Sequence, residues 1–506
     1  MKSRKLIRAL CLALLWTLCS APVALASADS DAPTRLTCFI NHNWFPVSSF
    51  TGIIPEEITR LTGIALDVTI AKTQQQFNQL IVSGNLPDLI YTSTLQQRLS
   101  DPEHCYSYDE LLEMYDIDWE IPPELRANAL AFSSDGRIYG LLNNYATDEE
   151  WRQSSGVPIT GSLCVRMDIL EALGIREIHT TDELFDVFLR VRDEYPDMVP
   201  LTFDSVHRFN IFRSYFGLGL VSFLEQEDGA CRYYARDGRC RAMLEYLNRL
   251  YGSGCMIADN FATDTAHAGL LYGNGQSFAF SACTQNANLG LHNRLQSLNP
   301  EWRSDELRPL DGSCFDAQGL GWSSVFISRT ASDPEACIRL VQWMYSEEGQ
   351  YLTEWGRAGV DYVLDDSGLP VFSGDYLESV NNGTYNAVYN PWFYFGTSAI
   401  IEAEGRCALL GDLLPVETYR VIRESYHNHP WIASAIFNLP EAQLNQYNRI
   451  ETMLTDYENK VILSADDDSF EQNFREMQDY LEDMGIADIE ASMDRLIPEY
   501  YSHYNE

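Results

Sequence analysis

The sequence predicts an α/β fold built on two separate sheets with a helical extension at its C-terminal end. Three observations lead there. Apolar and polar residues alternate over Arg35–Asn41 and Ala65–Ile70, whereas Pro55–Leu61 and Gln74–Val82 carry helical spacing, so strands and helices take turns. A second series of the same kind starts near Ser162. Finally, 506 residues with 45% hydrophobic content are too many for one ordinary core and apolar enough for two.

The N-terminus comes first. Lys2, Arg4, Lys5 and Arg8 surround an apolar run from Ala9 to Leu18, and Ala24-Leu25-Ala26 follows as a small-residue cleavage site. Residues 1–26 therefore read as a signal peptide. No later stretch approaches the roughly 20 uninterrupted apolar residues of a spanning helix, so no direct membrane insertion of the mature chain is expected. Losing the leader removes four positive charges and no acid, which makes the net charge of −38 more negative still. Such a surface repels phosphate backbones, so nucleic acid is excluded as a partner.

In the first α/β series, Leu86–Tyr91 is an apolar strand opened by Pro87 and Asp88. Helices between strands imply parallel pairing, and ligands then sit at the carboxyl ends of the strands. Asn43, Trp44 and Phe45 after one strand, and Tyr91 and Thr92 at the end of another, are so placed at a cleft. Asn143–Thr160, polar and punctuated by Gly156 and Pro158, reads as a crossing between lobes, and a second is expected near Leu307–Phe315. Beyond the first crossing, Leu163–Arg166 reads as a strand and Asp168–Leu173 as a helix stopped by Gly174. Thr181 with Asp182 and Glu183 caps a helix running to about Val191. Glu441–Leu463, Phe470–Met484 and Ile489–Tyr501 are helical, and Asp466–Asp468 cap the second of these rather than bind calcium.

Ten of the 12 cysteines lie beyond the leader without any CxxC or Cys/His zinc spacing. Cys231 and Cys240 flank a stretch that could close as a hairpin. Cys38, Cys164, Cys283 and Cys337 sit in apolar segments as small buried hydrophobes.

Several blocks resemble the extracellular solute-binding proteins of carbohydrate ABC transporters, in particular the long Gram-positive type. They are Ile53–Val68, FNQLIVSGNLPDLIY at Phe77–Tyr91, SLCVRMDILEALGI at Ser162–Ile175 with the helix after it, and the long block Ile327–Pro370. The resemblance implies a two-lobed periplasmic-binding-protein-like fold of type II with C-terminal helices. It also implies a carbohydrate ligand, an oligosaccharide, and a membrane permease as partner, with no cofactor, no catalysis and a monomeric state. On this basis the first lobe is expected to hold residues 34–150 and 308–362, and the second 151–307 and 363–506. The chain departs from the usual pattern in two places. Cys19 follows Trp16, Thr17 and Leu18 rather than a lipobox, and SACTQNANLG at Ser281–Gly290 replaces an aromatic-rich stretch.

Sugars present flat apolar faces ringed by hydroxyls, so a site needs aromatic platforms and polar rims. Ten Trp and 28 Tyr supply the platforms. Candidates in loops and at strand ends are Trp44, Tyr91, Trp151, Trp322, Trp392 and Tyr394. Polar candidates are Asn43, Asp88, Asp204, Arg213, Thr284 and Asn286. Two other classes compete. A secreted glycoside hydrolase would place two carboxylates across a bond, and a metal-capturing protein would use His427 and His429, which share a face if they lie on a strand. No nucleophile elbow, P-loop, dinucleotide fingerprint or HExxH motif is present.

Overall fold

The computed structural model describes residues 32–43, 45–226, 229–284, 288–392, 395–411 and 416–505. The expected leader and the candidates Trp44, Asn286 and Tyr394 lie outside the described residues.

Strand β1 (Thr34–Ile40) shows how the first sheet is built. Leu36, Cys38 and Ile40 enter one core, while Phe39 points the other way and stacks on Phe77 at 5.6 Å. This is the period-two alternation of a strand covered on both faces. Strands β2 (Ile64–Ile70), β3 (Leu89–Thr92) and β4 (Gly140–Leu142) join it, together with a return strand, Ser324–Ile327. The order is β2-β1-β3-return-β4. β1 pairs parallel with β3, and the return strand is antiparallel to both β3 and β4.

The second sheet holds β5 (Gly161–Arg166) and β6 (Val199–Phe203) with strands Ser277–Cys283 and Ser304–Glu306. β5 is antiparallel to Ser277–Cys283, which runs parallel to β6. Leu163, Val165, Leu201 and Phe278 enter the second core. Helices Glu441–Ile462, Asp467–Asp483 and Ile486–Asn505 pack on that core through Ile450, Leu454, Met477, Leu481, Ile489 and Met493. Asp466 caps the middle helix by accepting the Ser469 N–H at 2.8 Å.

Three expectations need correction. The cap of helix Thr181–Glu194 is Thr180, not Thr181, because the side chain three residues before Glu183 completes the reciprocal capping box. Cys231 and Cys240 do not close a hairpin: Cys231 opens strand Cys231–Tyr233, Cys240 lies in helix Gly238–Gly252, and no disulfide joins them. Residues after 362 do not pass directly to the second lobe. Phe372, Tyr376, Tyr389, Trp392 and Phe395 pack in the first core, since the hairpin Tyr362–Leu364/Pro370–Phe372 lays its aromatic side against Trp355 and Tyr376.

Three segments run between the sheets. Asn143 donates its backbone N–H to the Ser323 carbonyl (3.0 Å), and its side chain accepts the Ser323 N–H (3.0 Å). Asn144 donates to the Thr397 carbonyl at 2.7 Å. Gly321 sits at φ 97°, where an added Cβ would lie 2.0 Å from the Asn143 carbonyl oxygen, so only glycine lets these strands cross so closely. Helix Ala399–Leu410 bridges the two cores, with Ile401 against the first and Cys407 and Leu410 in the second. No described helix is long and apolar enough to cross a membrane.

Candidate functional site

The carboxyl ends of β1, β3 and β4 and the amino end of the antiparallel return strand face one way. Trp322 stands there, half-buried, with its ring edge-on to His42 (5.4 Å) and Tyr91 (5.9 Å). His42 Nε2 pairs with the Ser323 hydroxyl at 2.9 Å, and burial lowers its pKa to about 4, so this wall is uncharged at neutral pH.

Beside Trp322 a cavity of about 690 Å³ opens between elements of both lobes. From the first side it is lined by Glu124 and Asn128 of helix Pro123–Leu130, and by Tyr145 and Trp151 of the crossing. Opposite stand Tyr426 and Asn428 of strand Tyr426–Asn428, Trp431, and His503 and Tyr504 of the last helix. Trp151 meets Tyr426 edge-on at 5.9 Å. Much of the amide chemistry is already committed. Asn128 donates to the Leu320 carbonyl (2.9 Å) and accepts the Tyr504 hydroxyl (3.0 Å), while Asn428 exchanges two 2.8 Å bonds with the Gly319 backbone. Asp148 already accepts the Asn428 N–H (3.0 Å) and faces His427 Nδ1 (3.3 Å), so its remaining lone pairs and the Glu124 carboxylate are the acceptors left for hydroxyl donors. Burial raises the Glu124 pKa, with a further push from Glu150.

Nine of the twelve candidates fall within the described residues and can now be placed. Trp151 and Trp322 line one cavity, and Asn43 is exposed just past β1. Six belong to the scaffold. Asp88 precedes β3, at the end opposite the cleft, and accepts the Thr37 N–H (2.6 Å), the Thr37 hydroxyl (2.5 Å) and the Ser332 N–H. Tyr91 is fully buried, stacked on Phe395 at 4.8 Å, and its hydroxyl accepts Asn143 Nδ2 at 2.9 Å. Trp392 is also fully buried, and its indole N–H donates to Asn390 at 3.0 Å. Thr284 ties the ends of β5 and its neighbour by accepting the Thr160 N–H at 3.1 Å. Arg213 donates to the Val221 carbonyl (2.7 Å) and lies over the Tyr234 ring (3.8 Å), inside the second lobe.

Asp204 closes the loop after β6. Its carboxylate accepts the N–H groups of Val206 (2.8 Å), His207 and Arg208 (3.1 Å), and holds His207 Nδ1 at 3.0 Å. Burial opposes a charged His207, but its bonds to Asp204 and Cys283 prevail and raise its pKa to about 10. His427 and His429 do not converge, since each faces its own carboxylate, Asp148 at 3.3 Å and Asp316 at 3.4 Å.

Sequence reasoning missed Glu124, Tyr145, Tyr426, Trp431 and Tyr504. Nothing local marks them, because the last helix reaches Asn128 only through the fold.

No protein-family model matches the chain, and neither does any curated protein sequence. Solved structures do match. An extracellular solute-binding protein from Bifidobacterium longum subsp. infantis aligns over 95% of this chain and 100% of its own, at TM-score 0.68 and 13% identity. The alginate-binding protein AlgQ2 aligns over 93% and 99%, at 0.67 and 16%. The Streptococcus pneumoniae ABC-transporter substrate-binding protein FusA, solved with kestose, aligns over 93% and 100%, at 0.64 and 16%. The fold of this chain is therefore the two-lobed α/β fold of solute-binding proteins, with the C-terminal helices included.

Proposed function

We propose that this chain is the capture component of an ABC importer: it binds an oligosaccharide between its lobes and hands it, chemically unchanged, to a membrane permease. The observation that carries this reading is the 690 Å³ cavity, where Tyr145, Trp151, Trp322, Tyr426, Trp431 and Tyr504 offer ring faces and Glu124 and Asp148 offer acceptors. A flat apolar sugar face ringed by hydroxyls fits that chemistry. The full-length likeness to proteins described as binding alginate or kestose supports the same class of ligand. We further propose export through the leader at 1–26, an extracellular or cell-surface location, and a monomeric, cofactor-free state. Asn43, Trp44, Asn286 and Tyr394 keep proposed ligand roles beside Trp151 and Trp322.

Ligand contacting both lobes favours the closed hinge state by its differential affinity for that state. Melting curves of the mature protein against mono- and oligosaccharides test the proposal, because a ligand bound only by the folded state raises the melting temperature. A shift with one sugar series, with that sugar recovered intact, is expected. Release of reducing ends, abolished by replacing one acid, would instead establish a hydrolase.

A further inference from the structure

We infer that the captured molecule is an oligosaccharide without anionic groups that runs from the first cavity past Trp431 into a second one. The inference rests on the capture reading above and adds the charge and length of the ligand.

The first observation is electrostatic. Among the described residues no Lys or Arg lines the 690 Å³ cavity, while Glu124 and Asp148 do. The undescribed residues beyond the leader, at 27–31, 44, 227–228, 285–287, 393–394, 412–415 and 506, include no Lys or Arg. A uronate or phosphate group brought here would be desolvated beside carboxylates with no Lys or Arg to offset it. A hydroxyl, by contrast, donates to a carboxylate directly.

The second observation is continuity. A neighbouring cavity of about 820 Å³ shares Asp148, Asn428 and Trp431 with the first. It continues between Phe223 and Leu224 on one side and Ile497 and Tyr501 of the last helix on the other. Trp431 stands edge-on to Tyr501 at 4.9 Å, so an aromatic surface runs from one space to the next. The single Arg among its described lining residues, Arg239, is already held by Asp237 through bonds of 2.9 and 3.1 Å. Asp316, Asp494 and Glu225 keep this second space acidic as well. A ligand filling only the first cavity would leave this joined, aromatic-walled space to water.

Titration calorimetry tests both parts. The probes are neutral gluco-, fructo-, manno- and N-acetylated oligosaccharides of two to six units, with oligouronates of the same lengths. The expected result is that one neutral series binds, gaining about tenfold in affinity between two and four units or more. Tyr501→Ala should remove about tenfold from the longer ligands, leave the disaccharide within about twofold, and be rescued by Tyr501→Phe. Tyr501 is about half exposed, and unchanged melting of the variants confirms that they fold. Equal or tighter binding of oligouronates overturns the charge assignment. Affinity independent of length, or a Tyr501→Ala loss shared by the disaccharide, overturns the path into the second cavity. If none of the probes binds, the capture reading itself falls, a result distinct from either of these.

Discussion

The two lobes present differently built walls at their strand ends. On the first lobe, His42 is neutral, packed among Tyr91 and Trp322 and joined to the Ser323 hydroxyl. On the second, Asp204 holds His207 as a cation, and Arg208 behind it lies 3.7 Å from Glu458. Rings and neutral hydrogen bonds fix one wall, and charges fix the other. The lesson is that a histidine's role follows its surroundings: burial alone drives His42 down, while a carboxylate partner overrides the same burial at His207.

The largest effect should come from breaking the charged wall. Asp204→Ala strands the His207 cation and frees three loop N–H groups, and is expected to destabilise the protein by about 3–5 kcal/mol in urea unfolding. A loss under about 1 kcal/mol would show that the pair is not structural.

The pH profile sharpens the contrast, because the two histidines act with opposite sign. An unfolded histidine titrates near 6.5. His207, with its folded pKa at about 10, contributes stability that is complete below about 6.5 and lost as pH rises to 10. His42, with its folded pKa at about 4, remains unprotonated while the unfolded chain takes up a proton, so stability falls as pH drops from about 6.5 to 4. Melting temperatures across pH 4 to 10 should show His207→Gln flattening the alkaline limb and His42→Gln the acid limb. Limbs that do not change with either substitution would remove the comparison.

A binding contrast comes next. Trp322→Ala should weaken oligosaccharide binding by about 1–3 kcal/mol, as the loss of a stacking indole does. Trp44→Ala should cost at least about tenfold in affinity with little change in melting. Trp392→Ala should do the reverse, lowering stability by about 3–5 kcal/mol while leaving a folded fraction that still binds. An unchanged affinity in Trp322→Ala would move the ligand away from this wall. The smallest effect is Ser323→Ala, which removes one neutral hydrogen bond from His42 and should cost about 1 kcal/mol.

Local periodicity made the scaffold legible. Leu36, Cys38 and Ile40 alternate with their neighbours as a strand must, and Asp466 stands where a helix needs an acceptor. Two errors were avoidable from the sequence itself. The spacing Thr180-x-x-Glu183 already marks the capping box, and Asp88 precedes its strand, which puts it at the end away from the cleft. The rest was not legible locally. Tyr91 and Trp322 look alike as aromatics near strand ends, and only the fold buries the first, against Phe395 and Asn143, while the second lines the cavity. Tyr504 reaches the cavity because the last helix folds back onto Asn128, and Trp431 because its own helix Pro430–Phe437 packs on that last helix at Tyr501, long-range facts with no signature in their own segments.

The central claim is that this cleft holds a sugar without altering it. Calorimetric titration of the mature protein with neutral oligosaccharides, followed by analysis of the recovered ligand, measures both halves at once. Saturable binding of one series at one molecule per chain, with the sugar returned at its original length, is the predicted result. Either no heat from any neutral oligosaccharide, or a ligand recovered as shorter fragments, would contradict it.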